Sequence, residues 1–172
     1  MKLALSRRVW ILSTLLLCIA LDQWTKVLAQ EHIRGQLPRT YWNNFFRFEY
    51  SENRGAFLSL GAGLSESMRF WLLVVAVAIV LVVGLYALFF RRMPAIGTAG
   101  LTFAIAGGLS NLIDRVFREN GAVVDFMNMG IGGLRTGIFN VADMAIMLGI
   151  GLLLVPQKAE TETTRPEPAP AK

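Results

Sequence analysis

The chain has 172 residues, 54% of them hydrophobic and 17% charged, where about 25% charged is usual for a soluble domain. With a mean hydropathy of +0.49, that balance excludes a disordered or collagen-like chain and points to a small integral membrane protein of one domain. The net charge of +5 does not argue for a nucleic-acid partner. Its cations cluster beside apolar runs (Lys2, Arg7 and Arg8; Arg91 and Arg92; Lys158), as they do where basic residues hold helix ends in the cytosol. The single cysteine, Cys18, cannot form an internal disulfide. The single histidine, His32, cannot build the multi-histidine sites typical of catalytic zinc, so no metal or other cofactor is expected.

Residues 9 to 29 are apolar enough and long enough to span a membrane. Their approach, MKLALSRRVWILSTLLLCIA, also has the layout of a cleavable signal peptide, so a span and a leader are both open readings here. Residues 30 to 69 form a polar insertion. Within it Tyr41 to Phe57 is aromatic-rich with partial alternation around Phe46, Phe48 and Tyr50, which predicts short β structure. Phe45, Phe46 and Phe48 there suggest an apolar cover over a site, and Gly61, Gly63 and Ser65 a turn before the second span.

Residues 70 to 90 are uninterruptedly apolar and closed by Arg91 and Arg92. A third run, 96 to 116, carries Gly100, Gly107 and Gly108, small residues that let helices approach closely in lipid. A fourth, 137 to 155, ends at Pro156. The expected fold is therefore an all-α membrane domain over residues 1 to 156, with four spans and a small extracytoplasmic β-rich segment between the first two. Residues 157 to 172, QKAETETTRPEPAPAK, read as a disordered cytoplasmic tail. The basic clusters place both termini in the cytosol and residues 30 to 69 and 117 to 136 outside. Trp24, Trp42 and Trp71 suit the membrane interfaces.

A charged side chain at the centre of a span costs about 2.5–3.5 kcal/mol or more, so each one needs an explanation. All four aspartates, Asp22, Asp114, Asp125 and Asp143, fall at the outer ends of spans or in an outer loop, together with Asn53, Asn111, Arg115 and Asn140. Several have ordinary alternatives. Asp22 can pair with Lys26 one helical turn on, Asn53-Arg54-Gly55 can be a simple turn, and Asn111, Asp114 and Arg115 can be framework at a helix end. Asp125 and Asp143 differ in having apolar neighbours and no basic residue within four positions. Asn140 and Asp143 share a helix face.

Reactive chemistry is scarce. His32 falls in the expected loop of residues 30 to 69, which leaves no histidine on an expected span for a serine or cysteine nucleophile. Two carboxylates in an apolar setting remain, an arrangement in which one keeps a proton while the other is ionised, so that the pair can activate water. A proton-coupled carrier would also use such aspartates, and a non-catalytic assembly subunit would tolerate their conversion to asparagine.

Five blocks, Leu21-Asp22-Gln23-Trp24-Thr25-Lys26, Glu52-Asn53-Arg54-Gly55-Ala56-Phe57, Gly107 to Arg115 (GGLSNLIDR), Val123-Val124-Asp125-Phe126 and Phe139-Asn140-Val141-Ala142-Asp143, together resemble the lipoprotein signal peptidase (signal peptidase II) family. The resemblance implies an aspartyl endopeptidase of the bacterial inner membrane. Its substrates would be diacylglyceryl-modified prolipoproteins, cut just before the lipidated cysteine, and its other partners membrane lipids, with the chain acting as a monomer. By matching motif, Asp125 and Asp143 would be catalytic, and Asp22, Asn53, Gly55, Asn111, Asp114, Arg115, Asn140 and Ala142 would bind substrate or support the site.

Overall fold

The structure, a computed structural model, describes residues 2–55, 61 and 63–156. The expected tail, and Ala56 and Phe57 of the second block, lie outside the described residues. The first helix, α1 (Lys2–His32), is about 46 Å long at 1.5 Å per residue. A short helix, α2 (Glu66–Arg69), is capped by Ser65, whose Oγ accepts from the Met68 N–H. It continues through a π-helical stretch, Phe70–Ala76, into α3 (Val77–Phe90). α4 (Ala95–Phe117) follows Pro94, whose missing N–H costs nothing just before a helix. α5 (Val141–Leu154) ends two residues before Pro156.

Among the described residues three helices, Leu5–His32, Glu66–Phe90 and Ala95–Phe117, are long and apolar enough to cross a membrane. The fourth apolar run forms a shorter helix than its sequence suggested. Residues 137 to 140 stay out of α5 because Asn140 takes an extended backbone and caps it. Its Oδ1 accepts from the Asp143 N–H at 2.9 Å, while Asp143 Oδ2 accepts from the Asn140 N–H at 3.2 Å. This capping box satisfies two of the donors a helix start leaves open.

Between helices, small residues decide the spacing. A Cβ at Gly107 would run into the Ala142 carbonyl, and one at Gly149 would sit 2.5 Å from the Ala104 nitrogen. α4 and α5 are thus in near backbone contact, which brings the C-terminal end of α4 beside the first turn of α5. Ile11 and Leu15 of α1, Leu81 and Leu88 of α3, and Ile105 and Ala106 of α4 form the main apolar cluster. At its far end Arg7 donates to the carbonyls of Leu88 and Arg91 and to Thr98 Oγ1, closing the exposed carbonyl end of α3 with a cation.

Among the described residues four strands, β1 (Arg39–Tyr41), β2 (Phe46–Asn53), β3 (Val123–Ile131) and β4 (Leu134–Arg135), form one antiparallel sheet in that order. The β structure expected near residues 41 to 57 is therefore half of a sheet whose other half comes from the connection between α4 and α5. The β1–β2 turn uses left-handed backbone at Trp42, Asn43 and Asn44, a conformation asparagine tolerates better than most residues. Val124 and Phe126 pack on Ala29 of α1 and on Ile33 just past its end, so alternation turns Asp125, between them, to the opposite face. Trp24, Trp42 and Trp71 are exposed.

Candidate active site

Asp125 on β3 and Asp143 in the first turn of α5 line the same cavity of about 400 Å³. Asn53, Asn111 and Arg115 supply the rest of its polar wall, and Leu73, Val77, Ile146, Met147 and Ile150 much of its apolar wall. Strand register explains the first contact. Ser51 pairs with Asp125 and Asn53 with Val123, which makes Asn53 a diagonal neighbour of Asp125. Its Nδ2 donates to Asp125 Oδ2 at 3.0 Å.

The Asn140 amide donates to Asp125 Oδ1 at 2.7 Å, and Asn111 Nδ2 donates to Asp143 Oδ1 at 2.9 Å. With the capping bond to Asp143 Oδ2, every oxygen of both carboxyls accepts from one N–H, and each keeps a second lone pair for a proton or a water. Asn140 touches both aspartates, through its side chain on one and its backbone on the other.

Asp125 is 2% exposed. Burial pushes its carboxyl up to about 7 and the Asp143 charge adds to the effect, while hydrogen bonds from Asn53 and Asn140 and the charge of Lys26 oppose it. A carboxyl so placed holds a proton in the pH range where an ordinary one is ionised.

Asp22, Gly55, Asp114 and Ala142 stand one layer behind the cavity wall, and Arg115 links the wall to Gly55. Asp22 Oδ1 accepts from the Ala142 N–H at 2.8 Å, and its Oδ2 takes Lys26 Nζ at 2.7 Å and the Ser110 hydroxyl at 2.7 Å. Asp22 thus makes both the ion pair its spacing suggested and a tie that seats α5. Asp114 Oδ1 accepts from Gln23 and Arg118, and its Oδ2 from Lys26 at 2.8 Å and from the Val124 N–H, which anchors β3 to α4. Arg115 Nη2 donates to the Gly55 carbonyl at 2.6 Å, and Asn53 Oδ1 accepts from the Gly55 N–H at 2.9 Å. Asn53-Arg54-Gly55 is a turn, and it is pinned to the cavity wall. Arg115 Nη1 is buried with no partner among the described residues.

The sequence reading missed Lys26 as part of the constellation, and with it Gln23, Ser110 and Arg118. A cation four residues after Asp22 looks like a surface pair, whereas Lys26 is fully buried and bonded to α4 as well as α1. The available signal was its position well inside an apolar helix. The aromatic run does not line this cavity. Phe48 lines a separate groove with Tyr41, Phe126 and the C-terminal turns of α1, because β2 hands its aromatic end to α1 and its asparagine end to Asp125.

A family model described as signal peptidase (SPase) II matches residues 14–157. The chain is 33% identical over 157 residues to a lipoprotein signal peptidase of Syntrophotalea carbinolica, covering 91% of this chain and 94% of that one. It is 32% identical over 142 residues to a lipoprotein signal peptidase of Borrelia hermsii, covering 80% and 82%. A solved bacterial membrane enzyme superposes with a TM-score of 0.72 at 25% identity over 84% of this chain and 85% of that one. A second does so with the same TM-score at 26% identity over 84% and 90%. The constellation around Asp125 and Asp143 sits in a membrane peptidase, and the chain belongs to the signal peptidase II family.

Proposed function

We propose that this protein is an intramembrane aspartyl endopeptidase that removes the signal peptide from diacylglyceryl-modified prolipoproteins, cutting just before the lipidated cysteine, with Asp125 and Asp143 as its catalytic pair. The observation that carries the reading is the pairing itself: two carboxyls face one cavity, and asparagine N–H groups hold all four of their oxygens. Asp125 is the member that holds the shared proton, since its carboxyl titrates near 7. Asp143 takes a proton from a water in the cavity, the water attacks the scissile carbonyl, and Asp125 protonates the carbonyl oxygen. The proton gained by Asp143 then goes to the leaving amine, and no cofactor takes part. Arg115 lines the cavity and holds the Asn53–Gly55 turn through the Gly55 carbonyl.

The apolar wall suits the lipid and the signal helix. Met147 and Ile150 of α5 line the cavity and are themselves exposed on the helix surface, so a lipid-anchored substrate can enter sideways from the bilayer. In the proposed topology all four apolar runs cross the bacterial inner membrane. Both termini are then cytoplasmic, the sheet and the pair lie towards the outer leaflet, and the monomer suffices. Asp22, Asn53, Gly55, Asn111, Asp114, Asn140 and Ala142 support the site through the contacts above.

Purified protein incubated with a lipidated prolipoprotein tests this directly. Cleavage at the lipidated cysteine is expected for the wild type. Well-folded Asp125→Asn, Asp143→Asn and the double variant should all be inactive, the double no worse than either single, because groups acting as one unit are non-additive. Substantial cleavage by either single variant would overturn the assignment of the pair.

A further inference from the structure

Lys26 is 0% exposed and donates to three acceptors, Asp22 Oδ2, Asp114 Oδ2 and Asn111 Oδ1, at 2.7, 2.8 and 2.9 Å. An ammonium has three hydrogens and no acceptor, so this set is complete. Two of the acceptors balance its charge, and Arg118, 2.9 Å from Asp114 Oδ1, balances the second carboxylate. The third adds no charge compensation, and any carbonyl could have filled it. Its effect falls on the asparagine. Because Lys26 can only donate, the Asn111 oxygen must face it, and the Asn111 nitrogen must then face the other way, where Nδ2 donates to Asp143 Oδ1 at 2.9 Å. With the amide reversed, N–H groups would point at an ammonium and a carbonyl oxygen at a carboxyl.

The geometry points to Lys26 as a positioning residue that acts through Asn111: it fixes the sense of that amide, and so the donor that aims the Asp143 carboxyl into the cavity. The proposal rests on Asp143 being one of the reacting pair. Asn140 Nδ2 also approaches Asn111 Oδ1, at 3.2 Å, but it is shared with Asp125 Oδ1 at 2.7 Å and the Val124 carbonyl at 3.3 Å. The ammonium contact is shorter and charge-assisted, and therefore the stronger constraint. Coupling runs from α1 to α4 to α5, so the first helix contributes to catalysis without touching substrate.

A charge-balanced variant separates this role from simple support. Lys26→Met with Asp22→Asn removes one buried charge of each sign, leaves Asp114 with Arg118, and leaves at position 22 an amide oxygen able to accept from the Ala142 N–H. The expected result is a protein that melts like the wild type and has an unchanged KM for a lipidated peptide, with kcat reduced about 10- to 100-fold, the scale of losing an oriented hydrogen bond to a charged group. Unchanged kcat in the folded double variant would overturn the proposal. Asn111→Asp is the second test, for use even if the first variant does not fold. It keeps an acceptor for Lys26 but offers Asp143 an oxygen in place of an N–H. Activity should be lost at neutral pH and partly regained in acid, where the new carboxyl carries a proton to donate. A wild-type rate and pH profile in Asn111→Asp would also overturn it. Asp143→Asn assayed alongside keeps the two readings apart. If it cleaves, the pair is wrong; if it is inactive while the charge-balanced variant is fully active, only the role of Lys26 is wrong.

Discussion

Asp125→Asn keeps the volume of a side chain that is 2% exposed and removes its charge, and the effect on stability should change sign with pH. The folded carboxyl titrates at about 7, against about 3.9 in an unfolded chain. Between those values the native state binds the extra proton. Stability is therefore fully present below about pH 4, falls as pH rises, and has lost its whole increment above about pH 7. Three decades at about 1.4 kcal/mol each come to roughly 4 kcal/mol. The variant lacks this loss but has a penalty of its own. Asn53 and Asn140 both present N–H groups to the carboxyl, so the new amide nitrogen must oppose one of them, at about 1–3 kcal/mol at any pH. Asp125→Asn should thus be less stable than the wild type at pH 4 and more stable, by about 1–3 kcal/mol, at pH 8. For a chain of this size that is a few degrees in Tm per kcal/mol, about 2–4 °C. Thermal melts in detergent, followed by the fluorescence of the four tryptophans, read it directly. Parallel Tm–pH curves for the two proteins would refute the claim that Asp125 is buried against its charge.

Other outcomes follow from the same contacts. Cleavage should decline as pH rises through about 7, where Asp125 loses its proton, and in Asn53→Ala this limb should move upward because a donor to the ionised carboxyl is gone; a limb that stays put in the pH–rate profile would contradict the assignment. Gly107→Ala should lower folded yield and cut activity at least tenfold, since its Cβ has no room against the Ala142 carbonyl, and a wild-type yield and rate would show that α4 and α5 can part without harm. Arg115→Lys should lose yield and activity together, because a lysine cannot reproduce the guanidinium fork that reaches the Gly55 carbonyl; full activity per folded molecule would remove Arg115 from both roles. For topology, an alkaline-phosphatase fusion at residue 50 should be active and one at residue 160 silent, and the reverse would place the pair on the wrong side.

Much of this architecture is local and could be read from the chain. The run 70 to 90 and its closing arginines need no tertiary information, and Gly107 announces a close helix contact before the partner is known. The gathering of the four aspartates at one end of the helices was expected from antiparallel counting alone. What escaped is non-local. Strand β3, VVDFMNMGI, is buried through most of its length and shows no clean alternation, and its partner β2 lies some 70 residues away. Asp125 and Asp143 have no cation nearby in sequence, yet Lys26 arrives from α1 and Arg115 from α4. Burial of Lys26 depends on carboxylates from two helices at once, and spacing within one helix cannot reveal that.

Helix α5, at 14 residues, rises only about 21 Å, while the hydrocarbon layer is about 30 Å thick. With its Pro156 end at the inner surface, as in the proposed topology, the capped start at Asn140 lies some 9 Å below the outer boundary. Lipids flanking α5 cannot match its height, so in that topology the bilayer must thin there, at a fraction of a kcal/mol per Å. The proposed catalytic pair would then occupy a local dimple, shallow enough for water to reach from the strand side and deep enough to meet an acyl-anchored peptide bond without lifting its lipid out of the leaflet. Bilayer thickness becomes a control variable: thick, ordered membranes would bury the dimple and starve it of water, and thin ones would open it.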